Sequence, residues 1–156
     1  MKQLIIFESS GKRYAADVSF VQEIARMRKV VPIPDTAKYV EGVMSLRGAI
    51  IPAVSFAKKL GITETQLNKT DRIMIINLKD YTLGIIVNDV LDIITVEESN
   101  ITAPEGMLRE ASYLEGVLKT PEGITLLVDF QNLFTGEEEQ NINRVKDKVV
   151  LTKKEQ

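Results

Sequence analysis

Apolar residues fall in short, β-branched runs along this chain, which is the pattern of strands more than of helices. Leu4-Ile5-Ile6-Phe7 is the first run, and Ser9-Ser10-Gly11-Lys12 after it is a turn signal. Arg13-Tyr14-Ala15-Ala16 then returns as the hairpin partner. Val18, Val21 and Ile24 stand three apart, which predicts one helical turn before a strand over 22–27. Pro32 and Pro34 mark a loop. Gly42-Val43-Met44-Ser45-Leu46 and Ala49-Ile50-Ile51-Pro52-Ala53-Val54 flank Arg47-Gly48, a tight hairpin in which Gly48 is free to take positive φ. Pro52 implies an edge position or a bulge. A short helix over 56–60 follows, stopped by Gly61.

The second half repeats this order. Strands are predicted over 72–78 and 81–87, joined by Lys79-Asp80. Gly116-Val117-Leu118 and a strand over 124–128 flank Pro121-Glu122-Gly123, and a short helix over 130–134 precedes Gly136. At an offset of 69 (Leu4 over Ile73), the run Leu4-Ile5-Ile6-Phe7 lies over Ile73-Met74-Ile75-Ile76. Val18, Val21 and Ile24 then lie over Val87, Val90 and Ile93, and Glu23 over Asp92. Gly42-Val43, Gly48, Phe56 and Gly61 have counterparts in Gly116-Val117, Gly123, Phe130 and Gly136, with a few residues gained in the loops. The shared order indicates a tandem duplication. A barrel of roughly 70 residues is marginal alone. Two such units packed together bury a second core between them and leave a groove at the seam.

With 156 residues and 44% hydrophobic content the chain can build such a core. Residues 137–156 are polar and charge-rich, and read as a tail or a short helix. The absence of His and Cys excludes thiol nucleophiles, disulfides, serine triads and thiolate or imidazole zinc sites. Neither a dinucleotide-type glycine motif nor a phosphate loop is present. Twenty basic residues against twenty-two acidic ones provide no general attraction for nucleic acid. The opening apolar run meets Glu8 too soon for a signal peptide or a membrane span, so a cytoplasmic protein is expected.

Few residues invite chemistry. Asp89, Asp92, Glu97 and Glu98 form a loose acidic group that reads as a solvated strand end. Arg26, Arg28 and Lys29 make a small basic patch without aromatic companions, and read as a solvated edge. Two charges stand out by position: Arg47 at a hairpin tip, and Glu23 set between the core-like Val21 and Ile24. A guanidinium and a carboxylate so placed can pair and fix the hairpin against the strand.

Val21-Gln22-Glu23-Ile24, then Gly42-Val43-x-x-Leu46-Arg47-Gly48-x-Ile50-Ile51-Pro52, then Leu83-Gly84-Ile85-Ile86-Val87-x-x-Val90 resemble the CheW family of bacterial chemotaxis coupling adaptors. The likeness runs from about Leu4 to Phe134. It implies a mainly β fold: two SH3-like five-stranded β-barrels around a shared hydrophobic core, with short helices. One CheW-like domain is expected over 1–136, with the first barrel over about 14–72 and the second built from about 1–13 plus 73–136. The resemblance implies no catalysis, no cofactor and no metal. Its implied partners are the tip of a transmembrane chemoreceptor's helical hairpin, held in the groove, and the CheW-like regulatory domain of the histidine kinase CheA. Recruitment to receptor arrays at the inner face of the membrane follows from those partners.

Carried over position by position, the implied partner-binding residues are Val21, Glu23, Ile24, Gly42, Ser45, Leu46, Arg47, Gly48, Gly84, Val90 and Ile93. Ser45 replaces the family's Asn before Leu-Arg-Gly, losing an amide donor, and Ser55 replaces an Asp that the second copy keeps as Asp129. Two other readings stand beside the adaptor. One is a regulatory domain of a larger kinase or of a CheW–receiver fusion; a chain opening on Met1 without a phosphoacceptor His fits a separate adaptor more simply. The other is an enzyme using Asp89 and Asp92 with a metal.

Overall fold

The computed structural model describes residues 1–62, 66–106 and 110–155. The first copy of the repeat supplies β1 (Lys2–Ser9), β2 (Lys12–Asp17), a 3₁₀ turn (Val18–Phe20), β3 (Val21–Arg26), β4 (Val40–Leu46), β5 (Ala49–Ser55) and α1 (Phe56–Lys59). The second supplies β6 (Arg72–Asn77), β7 (Thr82–Val87), β8 (Asp89–Val96), β9 (Ile101–Thr102), β10 (Leu114–Thr120), β11 (Gly123–Val128) and a 3₁₀ turn (Phe130–Asn132). α2 (Gly136–Glu155) closes the chain. The fold is mainly β, as expected.

The copies do not fold separately. One sheet runs β8-β1-β2-β11-β10-β9 and the other β3-β6-β7-β5-β4. Each sheet thus takes its first hairpin from one copy and its remaining strands from the other. The pairing rules are the same in both. β1–β2 and β6–β7 are antiparallel, while β2–β11 and β7–β5 are parallel. Even the registers correspond: Ala15 faces Leu127, and its counterpart Gly84 faces Ala53. This differs from the expected division at 13/14 and 72/73. β2 joins the sheet of β1, and β6 and β7 join the sheet of β3 to β5, so the chain changes sheet at 17–21 and 87–89.

The unbroken apolar runs now have a cause. Successive strand residues point to opposite faces, and here both faces of the central strands are buried. Leu4 and Ile6 enter the interior of the β1-containing barrel, the first of the two as folded, with Ala15, Leu118 and Leu127, while Ile5 and Phe7 enter the core between the sheets. Ile73 and Ile75 likewise join Met44 and Ile51 inside the second barrel, and Met74 and Ile76 the shared core. Burying such a side chain is worth about 1.5–3 kcal/mol, so β1 and β6 anchor the fold. In the shared core Phe56 meets Tyr14 and Phe7 edge-on, with ring centroids 4.8 and 5.0 Å apart. Phe130, the repeat counterpart of Phe56, lies 6.2 Å from Phe7 on the other side.

Each barrel is closed by the segment that leaves its edge strand. After β3, Val31 exchanges both backbone hydrogen bonds with Val43 of β4, at 2.8 and 2.9 Å. After β8, β9 pairs Ile101 and Thr102 with Leu118 and Val117 of β10. The crossings are tight. A Cβ on Gly42, which sits at φ +145°, would fall on the Val31 carbonyl. One on Gly116 would meet Ile101 Cγ2 at 2.5 Å. Each glycine lets one chain pass over another.

Residues 136–155 form a helix of 20 residues, longer than the short helix named as one alternative for the tail. Thr135 and Glu138 cap it reciprocally: the Thr135 amide donates to Glu138 Oε1 at 2.9 Å, and the Glu138 amide to Thr135 Oγ1 at 3.1 Å. Ile142 and Val145 are buried in the shared core, and α2 packs over β4 and β5. Lys59 holds the first turn, 3.1 Å from Glu138 and over the rings of Tyr39 and Phe134. Burial, with the Glu138 charge behind it, pushes the Tyr39 hydroxyl far above its ordinary value. Burial also works to raise Glu138, but the Thr135 amide, Lys59 and Tyr39 outweigh it and leave that carboxyl lowered.

Candidate functional site

The turn between β4 and β5 is two residues long, since Leu46 pairs directly with Ala49. Arg47 has φ +50° and Gly48 φ +84°, the pair of left-handed residues that a twisted two-residue hairpin requires. Gly48 meets this without cost, whereas Arg47 carries about 1 kcal/mol of backbone strain. Its side chain is 71% exposed and pairs with Glu23 Oε2 at 2.5 Å, the Glu23 side chain being only 22% exposed. Glu23 lies opposite Ile75, a residue of the second barrel's interior. The ion pair therefore ties the hairpin tip to the barrel's other edge strand. An exposed pair contributes about 0–1 kcal/mol to stability, so its value lies in fixing a charged tip.

The apolar candidates sort by cross-strand partner. Val21 lies opposite Ile76 and Ile24 opposite Met74, and both partners belong to the shared core. Val90 opposes Phe7 and Ile93 opposes Ile5, again shared-core residues. All four thus sit on the inter-sheet face, but on edge strands where the cover ends: Ile24 is 41% exposed and Ile93 55%. A β-bulge makes this possible in each copy. Gln22 is the extra residue in β3, and Leu91 in β8. The bulge puts residues three apart on one face, so the spacing of Val18, Val21 and Ile24 combines a 3₁₀ turn with a bulged strand that starts at Val21.

Three candidates are not surface residues. Gly42 and Leu46 are buried, and so is Gly84, whose Cβ would lie 2.8 Å from Ile73 Cγ2 and 2.9 Å from Met44 Cε. They pack within the barrel and shape it beneath the hairpin. Ser45 is exposed, and its carbonyl accepts a hydrogen bond from Arg28 Nη1 at 3.2 Å.

The acidic group does not converge. Asp89 accepts from the Val90 amide and Asp92 from the Ile93 amide, within β8 itself. Among the described residues no cluster of acidic side chains is arranged to hold a metal ion. No described helix is long and apolar enough to cross a membrane. One positioning residue left no mark in the sequence. Asn88, between β7 and β8, accepts from the Ser10 amide at 2.7 Å, donates its amide N–H to the Glu8 carbonyl at 3.0 Å, and reaches buried Asp71 at 3.3 Å. It pins the passage from one sheet to the other, and an Asn in a polar gap looks like any loop residue.

Residues 3–138 match the family model for the CheW-like domain. The chain is 32% identical over 142 residues to the chemotaxis protein CheW of Bacillus subtilis, covering 90% of this chain and 91% of that one. It is 30% identical over 146 residues to the CheW of Treponema pallidum, covering 90% and 86%. The crystal structure of the scaffolding protein TtCheW from Thermoanaerobacter tengcongensis superposes with a TM-score of 0.77 at 28% identity, covering 88% of this chain and 90% of that one. With the two-barrel architecture and a site built of a fixed charged tip and apolar edges, these matches lead to one statement: the chain belongs to the CheW family, a family of non-enzymatic chemotaxis scaffolds.

Proposed function

We propose that the chain couples chemoreceptors to the histidine kinase CheA. It receives the tip of a receptor's helical hairpin along the inter-sheet crease and binds the kinase's CheW-like regulatory domain through a barrel face. Its place is then in the cytoplasm, gathered onto receptor arrays beneath the membrane. One observation carries this reading. Ile24 and Ile93 stand uncovered at the margins of a largely buried face, and Glu23, the residue before Ile24, holds the Arg47 guanidinium. Apolar anchors next to a fixed charge suit an amphipathic helix laid in a groove.

The test is pull-down of a receptor-tip fragment and of the kinase regulatory domain by Arg47→Ala and Glu23→Ala variants. Each variant is expected to fold, because the pair contributes about 1 kcal/mol at most, and to lose a substantial part of its capture of one partner or both. Unchanged capture of both would overturn the assignment of this site. Ile24→Asp and Ile93→Asp should weaken receptor capture specifically.

A further inference from the structure

The end of β3 and the chain leading into β6 bring five cations to one surface: Arg26, Arg28, Lys29, Lys69 and Arg72. Arg26 and Arg72 are direct cross-strand partners, and like charges facing one another across a ladder destabilise it. Among the described residues none of the five forms an ion pair. Arg28 turns to the Ser45 carbonyl, and Arg72 to the carbonyls of Thr70 and Asp71, at 3.2, 2.9 and 3.2 Å. Three of them, Arg28, Lys29 and Lys69, line with Asn68 an open depression of about 540 Å³ whose apolar floor is Met27, Val30 and Leu67. Leu67 is 39% exposed, while Met27 and Val30 pack on the second barrel's core.

A protein of net charge -2 that sets three cations around an apolar floor, with the facing Arg26 and Arg72 on the adjoining strands, is complementary to something negative. We propose that this depression docks an acidic polypeptide segment of a partner protein, its carboxylates meeting the cations and an apolar side chain filling the floor. The apolar floor favours a polypeptide over a nucleic acid or a phospholipid surface, because no aromatic side chain offers a base a platform and no apolar helix face offers a bilayer an anchor. It adjoins the β3 margin of the inter-sheet crease: Arg26 follows Ile24 by two residues, and Arg28 bonds the Ser45 carbonyl.

The probe is a short fluorescein-labelled peptide of glutamates around a central Leu-Leu pair, followed by fluorescence anisotropy. Binding is expected, weakening steeply as salt is raised. Arg26→Glu with Lys69→Glu should weaken it about tenfold or more, since two attractions become two repulsions. Lys12→Glu with Lys79→Glu, the same change of net charge on exposed residues elsewhere, should leave it unchanged. Arg26→Glu alone also separates docking from folding: a carboxylate now faces Arg72, so Tm should rise by ~2 °C while affinity falls. The proposal is overturned if the peptide does not bind, if the two double variants behave alike, or if single-stranded DNA or phosphatidylserine vesicles bind this surface in place of the peptide.

Discussion

Glycines at two positions in this chain look interchangeable in sequence and are not. A methyl group at Gly42 would occupy the place of the Val31 carbonyl, in a backbone conformation that side chains avoid. Neither the carbonyl nor the strand can move, because Val31 and Val43 hold each other by two hydrogen bonds. At Gly84 the obstruction is the ends of Ile73 and Met44, and a methionine tip can swing aside. Gly42→Ala should therefore cost about 3 kcal/mol or more, and Gly84→Ala clearly less, as read from urea denaturation. Equal losses would contradict the crossing described for Val31. At this scale much was legible. Arg47-Gly48 between two apolar runs announces a two-residue turn, and Glu23 between apolar neighbours announces a charge with a task. Burial of Gly84 and Leu46 was not legible, because a motif shared within a family does not say whether its residues face a partner or hold up those that do.

Elements gave a mixed return for the same kind of reason. β1 and β6 declared themselves through unbroken β-branched runs. β8 hid behind Asp89, Asp92 and a bulge at Leu91 that spoils its alternation. α2 hid because, through residue 145, only Ile142 and Val145 are sunk into the core, amid a polar stretch. That economy makes the stretch of α2 over 136–145 dependent on few groups. Ile142→Ala should cost about 2–5 kcal/mol, while Thr135→Ala, which removes the hydroxyl of the capping box, should cost about 1 kcal/mol. Amide hydrogen exchange in 136–145 should rise in both variants before that of β1 or β6 does. If α2 exchanged no faster in Ile142→Ala, its attachment to the core would rest on other residues.

For the molecule as a whole, the exchange of hairpins between copies decides how it folds. Local pattern reveals that two copies exist, since like runs recur in like order. It is blind to which copy a strand pairs with, because Ile5 and its counterpart Met74 are both apolar and both find the same shared core. Neither half contains a complete sheet. Fragments 1–66 and 67–156 should therefore each lack cooperative unfolding when alone, and should recover the β circular dichroism signal and a single thermal transition when mixed. Two independently folding halves would refute the pairing of β2 with β11 and of β7 with β5.

The twin barrels share a backbone plan but not a sign. Arg47 tips one hairpin and Glu122 occupies the matching turn of the other. One edge strand carries Arg26 where the other has the uncharged Thr95. A neighbour that reads shape alone would find two equivalent berths. One that reads charge finds a front and a back, and so can arrive in a single orientation.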